Sequence, residues 1–346
     1  SIHHWSANLV VITSFLHLLR VFLTGSYKKG RATNWFIGTL LFILALAFNF
    51  TGYLLPWDQL AYWAITVSTS LVSYIPFVGP EISRLLLADA QVGQGALSNF
   101  YALHVAVLPV VTFLFLAYHF WKVRKDGGIS QPETADGKPP RRVPTIPNLV
   151  EREFTAIAVV LAGLIIFAML VPAPLGELAN PEQSPNPAKS AWYFSGLQEL
   201  LLHMHPLAAM ALVAVVLVAL AFLPRLDRRD EDIGIYFRSG KGKKAALAGA
   251  LLGLYLVPVL VIVDEYWLDV AGMLEGWPLL LSTGLIPLLL TLGGLAIIYL
   301  VMRRALKASH SETLVGMFCM MAVGLVLLTL VGVYFRGPNM ALVLPF

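Results

Sequence analysis

Eight apolar stretches, each long enough to cross a bilayer, constrain this chain more than any other feature of it. A membrane-spanning helix takes about 20 mostly apolar residues. Such runs lie near residues 5–22, 34–55, 100–123, 156–171, 192–223, 245–263, 277–302 and 315–334. In lipid, only helices and closed barrels satisfy every backbone N–H and C=O. The runs are long and do not alternate, so the expected fold class is all-α, a polytopic transmembrane bundle of about eight helices. Composition agrees: 13% of residues are charged, against about 25% in soluble domains. A soluble multidomain protein is excluded, and so much apolar sequence excludes a disordered chain.

The formal charge of +4 comes from 24 basic and 20 acidic residues. The basic residues fall in short clusters between apolar runs, which is no nucleic-acid signature. Lys28, Lys29 and Arg31 follow the first run, and Lys122, Arg124, Lys125, Lys138, Arg141 and Arg142 follow the third. PRLDRRDEDIGIYFRSGKGKK follows the fifth and RRALK the seventh. Every second loop is therefore basic, and the positive-inside rule places those loops in the cytoplasm. The first and third helices then run parallel, from outside to inside, in the plasma (inner) membrane of a bacterium. No signal peptide is expected, since polar SIHHWS leads straight into an apolar run.

Two connections carry structure or mark a boundary. WDQLAYWAITVSTSLVSYIPFVGPEISRLLLADAQ, interrupted by Pro76 and Pro80, reads as short amphipathic helices on the outer membrane face. GGISQPETADGKPPRRVPTIPN reads as a cytoplasmic linker. The division expected is residues 1–126, a linker at 127–148, then 149–224 and 225–346.

One cysteine, Cys319, lies inside an apolar run, so there is no disulfide framework, Cys-x-x-Cys metal site or covalent haem motif. Chemistry must rest on histidines, carboxylates and bound cofactors. Four of the eight histidines form two pairs. His3 and His17 are 14 apart on the first helix; His104 and His119 are 15 apart on the third. At about 100° and 1.5 Å per residue, 14 residues leave side chains about 40° apart and about 21 Å separated along the axis. Fifteen residues give about 60° and about 22 Å. On parallel helices His3 meets His104 at the outer level and His17 meets His119 at the inner level, a geometry that clamps two haems between axial histidines. His4 is 13 residues from His17, about 140° away, so His3 is the ligand.

The second helix carries Gly38 and Gly52, again 14 apart. Glycine admits a flat macrocycle close to the backbone, although small residues also serve plain helix packing. Arg20, three residues beyond His17, suits a haem propionate or an interfacial anchor.

HHWSANLVVITSFLHLLRVFLTG, GYLLPWDQLAYWA and FYALHVAVLPVVTFLFLAYHFWKVRK resemble the haem-bearing part of cytochrome b of quinol:cytochrome c oxidoreductases. VGQGALSNFYALH and the 15-residue His spacing most resemble the cytochrome b6 branch, and IPNLVEREF through GLQELL is similar to the subunit IV region. The resemblance implies two b haems, a low-potential one at His3/His104 and a high-potential one at His17/His119. It also implies an outer quinol oxidation site and an inner quinone site. Partners would be a Rieske-type iron–sulfur protein, a c-type cytochrome and the quinone pool, in a multisubunit membrane complex for which a dimer is one expected form.

Two departures stand out. The family has a further helix before the first His pair, expected to come from upstream sequence or another chain. Its Pro-Glu-Trp-Tyr motif stands here as Ser190-Ala191-Trp192-Tyr193, so the glutamate held to accept a quinol proton is Ala191. Trp192 and Tyr193 remain as quinol-site residues. Glu199, eight residues on, lies about 80° round the helix and about 12 Å deeper, and is the acceptor expected in its place, with Glu177 and Glu182 as competitors. His203 and His205 line a quinone pocket or sit hydrogen-bonded in the interior. Arg124 contacts an inner quinone or propionate, or serves only topology. His310 is expected to be solvated, and Asp264, Glu265 and Asp269 are expected as interfacial charges. The last three helices receive no activity. The expected function is dihaem quinol oxidation. The alternatives are a dihaem anchor relaying electrons without splitting pairs, and a haem-free transporter using histidine proton relays.

Overall fold

The computed structural model describes residues 1–132, 143–228 and 233–344. Lys138, Arg141 and Arg142, part of the expected linker, and residues 229–232 lie outside the described residues. Among the described residues the regular elements are all helices. Helices α1 (Ile2–Leu23), α2 (Ala32–Tyr53), α3 (Gln59–Val72), α4 (Gly79–Leu87) and α5 (Gln94–Lys125) form the first part. They are followed by α6 (Thr145–Leu170), α7 (Trp192–His203), α8 (Pro206–Ala221), α9 (Gly240–Tyr266), α10 (Leu280–Ala305) and α11 (His310–Tyr334). By length and composition, α1, α2, α5, α6, α9, α10 and α11 can each cross a membrane.

The expected span at 192–223 is not one helix. It breaks at Met204, whose backbone is extended, into α7 and α8. Pro206 cannot donate a helix hydrogen bond and disfavours helical geometry at His205 before it. The His205 ring then accepts from the Leu207 N–H at 3.2 Å and caps α8. Pro80 likewise falls in the first turn of α4, where prolines are tolerated.

α2 packs between α1 and α5, and these two run parallel. At one end His3 and His104 meet. At the other, Arg31 beyond α1 donates to the carbonyls of Gly128 at 2.6 Å and Asp126 at 2.9 Å beyond α5. The carboxyl-terminal helices form their own packed group, α11 against α9 and α7. Gly249 on α9 and Gly316 on α11 allow the backbones to touch, since a Cβ on Gly249 would lie 1.9 Å from the Gly316 carbonyl oxygen. A buried polar cluster ties the two groups together. Asp227 takes Lys28 at 3.0 Å and the Tyr27 hydroxyl at 2.5 Å, and it also takes Ser311 of α11.

Candidate cofactor-binding cavity

α1, α2 and α5 enclose a cavity of about 1960 Å³, closed further by α6 and the start of α7. Single-ligand pockets run to about 300–1,000 Å³, so this one has room for more than one large group. His3, His17, His104, His119, Gly38, Gly52 and Arg20 all line it, as do Trp192 and Tyr193. Arg124 does not; it lies exposed near the end of α5.

Phase along α5 differs from that of a plain helix. Residues Leu103–Val107 are wound as a π-helix, with the Leu108 N–H donating to Leu103. Pro109 explains the widening: it has no N–H, and its ring crowds the carbonyl four residues back. A π-bulge absorbs one extra residue. The 15-residue step from His104 to His119 therefore acts as a 14-residue step, about 40°, matching His3 to His17 on α1.

At the first level the His3 and His104 ring centres are 6.1 Å apart with planes at 88°. Two imidazoles sharing one metal at about 2.0–2.1 Å per bond put their centres about 6 Å apart. The His104 Nδ1 sits 3.1 Å from the Phe48 carbonyl and 3.1 Å from the Thr51 hydroxyl. A backbone carbonyl there fixes the Nδ1–H tautomer and leaves Nε2 as the metal-binding nitrogen. His4 packs edge-on against Trp5 at 4.9 Å, although it too reaches the cavity wall. At the second level, His119 has a buried Nδ1 without a hydrogen-bond partner. Among the described residues, no three His, Cys, Asp or Glu side chains converge on a bare metal ion. Paired histidines beside glycines in an apolar cavity fit a flat, metal-centred macrocycle.

α7 is pinned at the His3/His104 level. Trp192 donates to Asn8 of α1 at 2.5 Å, and the Tyr193 hydroxyl donates to the Asn49 carbonyl of α2 at 3.0 Å. Glu199 is elsewhere: fully buried, outside the cavity, and bound to Arg336 at 2.5 Å and His203 at 3.2 Å. The other His203 nitrogen lies 2.6 Å from Asp264, and Arg336 reaches Glu265 at 2.8 Å. Asp264 and Glu265 are thus members of an ion network rather than free interfacial charges, while Asp269 caps a short turn through Gly272. His310 is not simply solvated, since Tyr299 at 2.6 Å and the Leu226 carbonyl at 3.0 Å engage both ring nitrogens. Glu177 and Glu182 are exposed. Among the described residues lining the cavity the sole carboxylate is Asp58, and Arg20 and Arg31 supply its guanidinium groups. Asp58 was not distinguishable in the sequence as more than the start of α3.

Fold and cavity define a multi-pass helical membrane protein with a large, mostly apolar cavity between parallel helices. Residues 8–178 match the family described as cytochrome b (N-terminal)/b6/petB. Over those residues the chain is similar to the cytochrome b/b6 family. It is 47% identical over 127 residues to cytochrome b6 of Porphyra purpurea, and 46% identical over 127 residues to that of Pyropia yezoensis. Each alignment covers 37% of this chain and 59% of the relative, so the chain spans under two thirds of the relatives' length. A solved chain of a "Hyperthermophilic respiratory Complex III" shares the fold, with a TM-score of 0.62 at 19% identity over 94% of this chain and 76% of that one.

Proposed function

We propose that this chain is a dihaem cytochrome b subunit that oxidises membrane quinol at the His3/His104 end, the outer face, and carries electrons inward to the His17/His119 end. The observation that carries the reading is the facing His3 and His104 rings, 6.1 Å apart, in a cavity that His17 and His119 also line. His3 and His104 would hold one b haem and His17 and His119 the other; the bound haems supply one-electron carriers whose potentials the surroundings tune. Gly38 and Gly52 keep the α2 backbone close, and Arg20 is placed for a propionate. Trp192 and Tyr193 wall the quinol end. Supplying no iron–sulfur or covalent haem ligands, the chain would work with a Rieske-type protein and a c-type cytochrome in a bacterial plasma-membrane complex, basic loops inside.

Ala191 favours one second reading, a dihaem anchor that relays electrons without splitting pairs. The purified complex tests both. Two haems per chain, reduced by added quinol and showing oxidant-induced reduction, support bifurcation. Quinol-reducible haems lacking that response support the anchor, and a spectrum without haem overturns both.

A further inference from the structure

Quinol oxidation sheds two protons, and a base must lie within reach of the quinol hydroxyl. Ala191 has no such group, and beside it is a hollow of only about 10 Å³ walled by Tyr53, Ser190 and Tyr193, room for one water at most. Glu199 is committed to Arg336 and His203 outside the cavity. Resting on the quinol reading above, we propose that Asp58 is the terminal proton acceptor of the outer site, taking the quinol proton by way of the Tyr53 hydroxyl.

Three observations support this. Asp58 is the sole carboxylate among the described residues of the cavity wall. Tyr53, five residues before it at the end of α2, lines the cavity with it, and Tyr53 and Tyr193 together wall the hollow beside Ala191. Finally, Asp58 is held at the boundary with solvent. One oxygen accepts from the Ala61 N–H at 2.8 Å and the other from the Gly176 N–H at 3.1 Å. Gly176 belongs to the exposed loop before α7. Each carboxylate oxygen has a second lone pair, so a proton can be taken up without breaking either bond. In the transfer, the quinol O–H breaks as a Tyr53 O–H forms. The former Tyr53 hydrogen forms the Asp58 O–H and is then released to water, and once Asp58 is free again the second quinol proton takes the same route. The two electrons would leave separately, one to the iron–sulfur partner and one to the carrier that His3 and His104 would hold.

Asp58 also caps α3, and Asn and Ser cap helices as Asp does. Asp58→Asn and Asp58→Ser therefore remove the base and keep the cap. In the assembled complex, either variant should retain both haems and lower quinol-driven haem reduction about 100-fold, the lower range for general-base catalysis. Asp58→Glu should restore part of the rate. In redox-induced infrared difference spectra of the parent, a carboxylic acid band should appear that both variants lack. Variants with full haem content, parental rate and an unchanged carboxyl band would overturn the assignment. Parent haems that quinol cannot reduce would instead overturn the quinol reading, and the role of Asp58 with it.

Discussion

A Cβ built on Gly52 would stand 2.6 Å from Cε1 of His104, whereas one on Gly38 would stand 3.4 Å from Cε1 of His119. The two glycines share a 14-residue spacing but not a tolerance. Below about 3 Å the ring itself must move, and it is held by Phe48 and Thr51. Gly52→Ala should therefore disturb or abolish the outer haem, while Gly38→Ala should keep the inner one. Haem counts from reduced-minus-oxidised spectra decide this, and equal losses in both variants would refute the asymmetry.

Ligand replacement is the direct test of the pairing. His104→Ala should remove the outer haem alone and His119→Ala the inner one alone. A His17→Ala protein that kept two haems would show that the inner pair is wrongly drawn. His4→Ala should bind two, because His3 is the ring that faces His104.

Glu199 predicts a stability effect. Arg336 is almost wholly buried, and Glu199 supplies its shortest ion pair. Removing one partner of a buried pair costs about 3–5 kcal/mol, so Glu199→Ala should lower the thermal midpoint and the yield of assembled protein. A double variant, Glu199→Leu with Arg336→Met, should recover much of the loss. An unchanged melting profile for the single variant would show that the network contributes little.

Asp227, between α8 and α9, gives a prediction in pH. Burial pushes its carboxyl up, but hydrogen bonds from Ser311, Tyr27 and Lys28 outweigh that and hold it below the ordinary carboxylate range. A depressed folded value gives stability that is complete above the unfolded value, about pH 4. That stability is lost as pH falls through the folded value. Asp227→Asn should be less stable at neutral pH and lose less on acidification below about pH 4. Parallel acid-melting curves would contradict this.

The all-helical class and seven of the eight expected spans were legible because both depend on apolar length, a local signal. The break at Met204–His205 was harder to see. Its residues continue an apolar run, and only Pro206 marks the stop. Pro109 likewise signalled the π-bulge, but its effect on the His104–His119 phase depends on how the helix relaxes. Glu199 was read from its place on a helix and paired by a residue 137 positions away. Asp58 was hidden differently, as a helix cap whose second face looks into the cavity. Partnerships of that range carry no sequence period.

The placement of charge around the cavity has an electrical consequence. Arg20 and Arg31 stand towards the His17/His119 end, and Asp58 stands at the other. A unit charge about 10 Å away contributes about 1.7 kcal/mol at an effective dielectric of about 20. An added electron is thus favoured beside the guanidinium groups and disfavoured beside the carboxylate. The protein's own side chains set a voltage gradient along the cavity that runs downhill for electrons from the first histidine pair to the second, whatever the membrane potential adds or opposes.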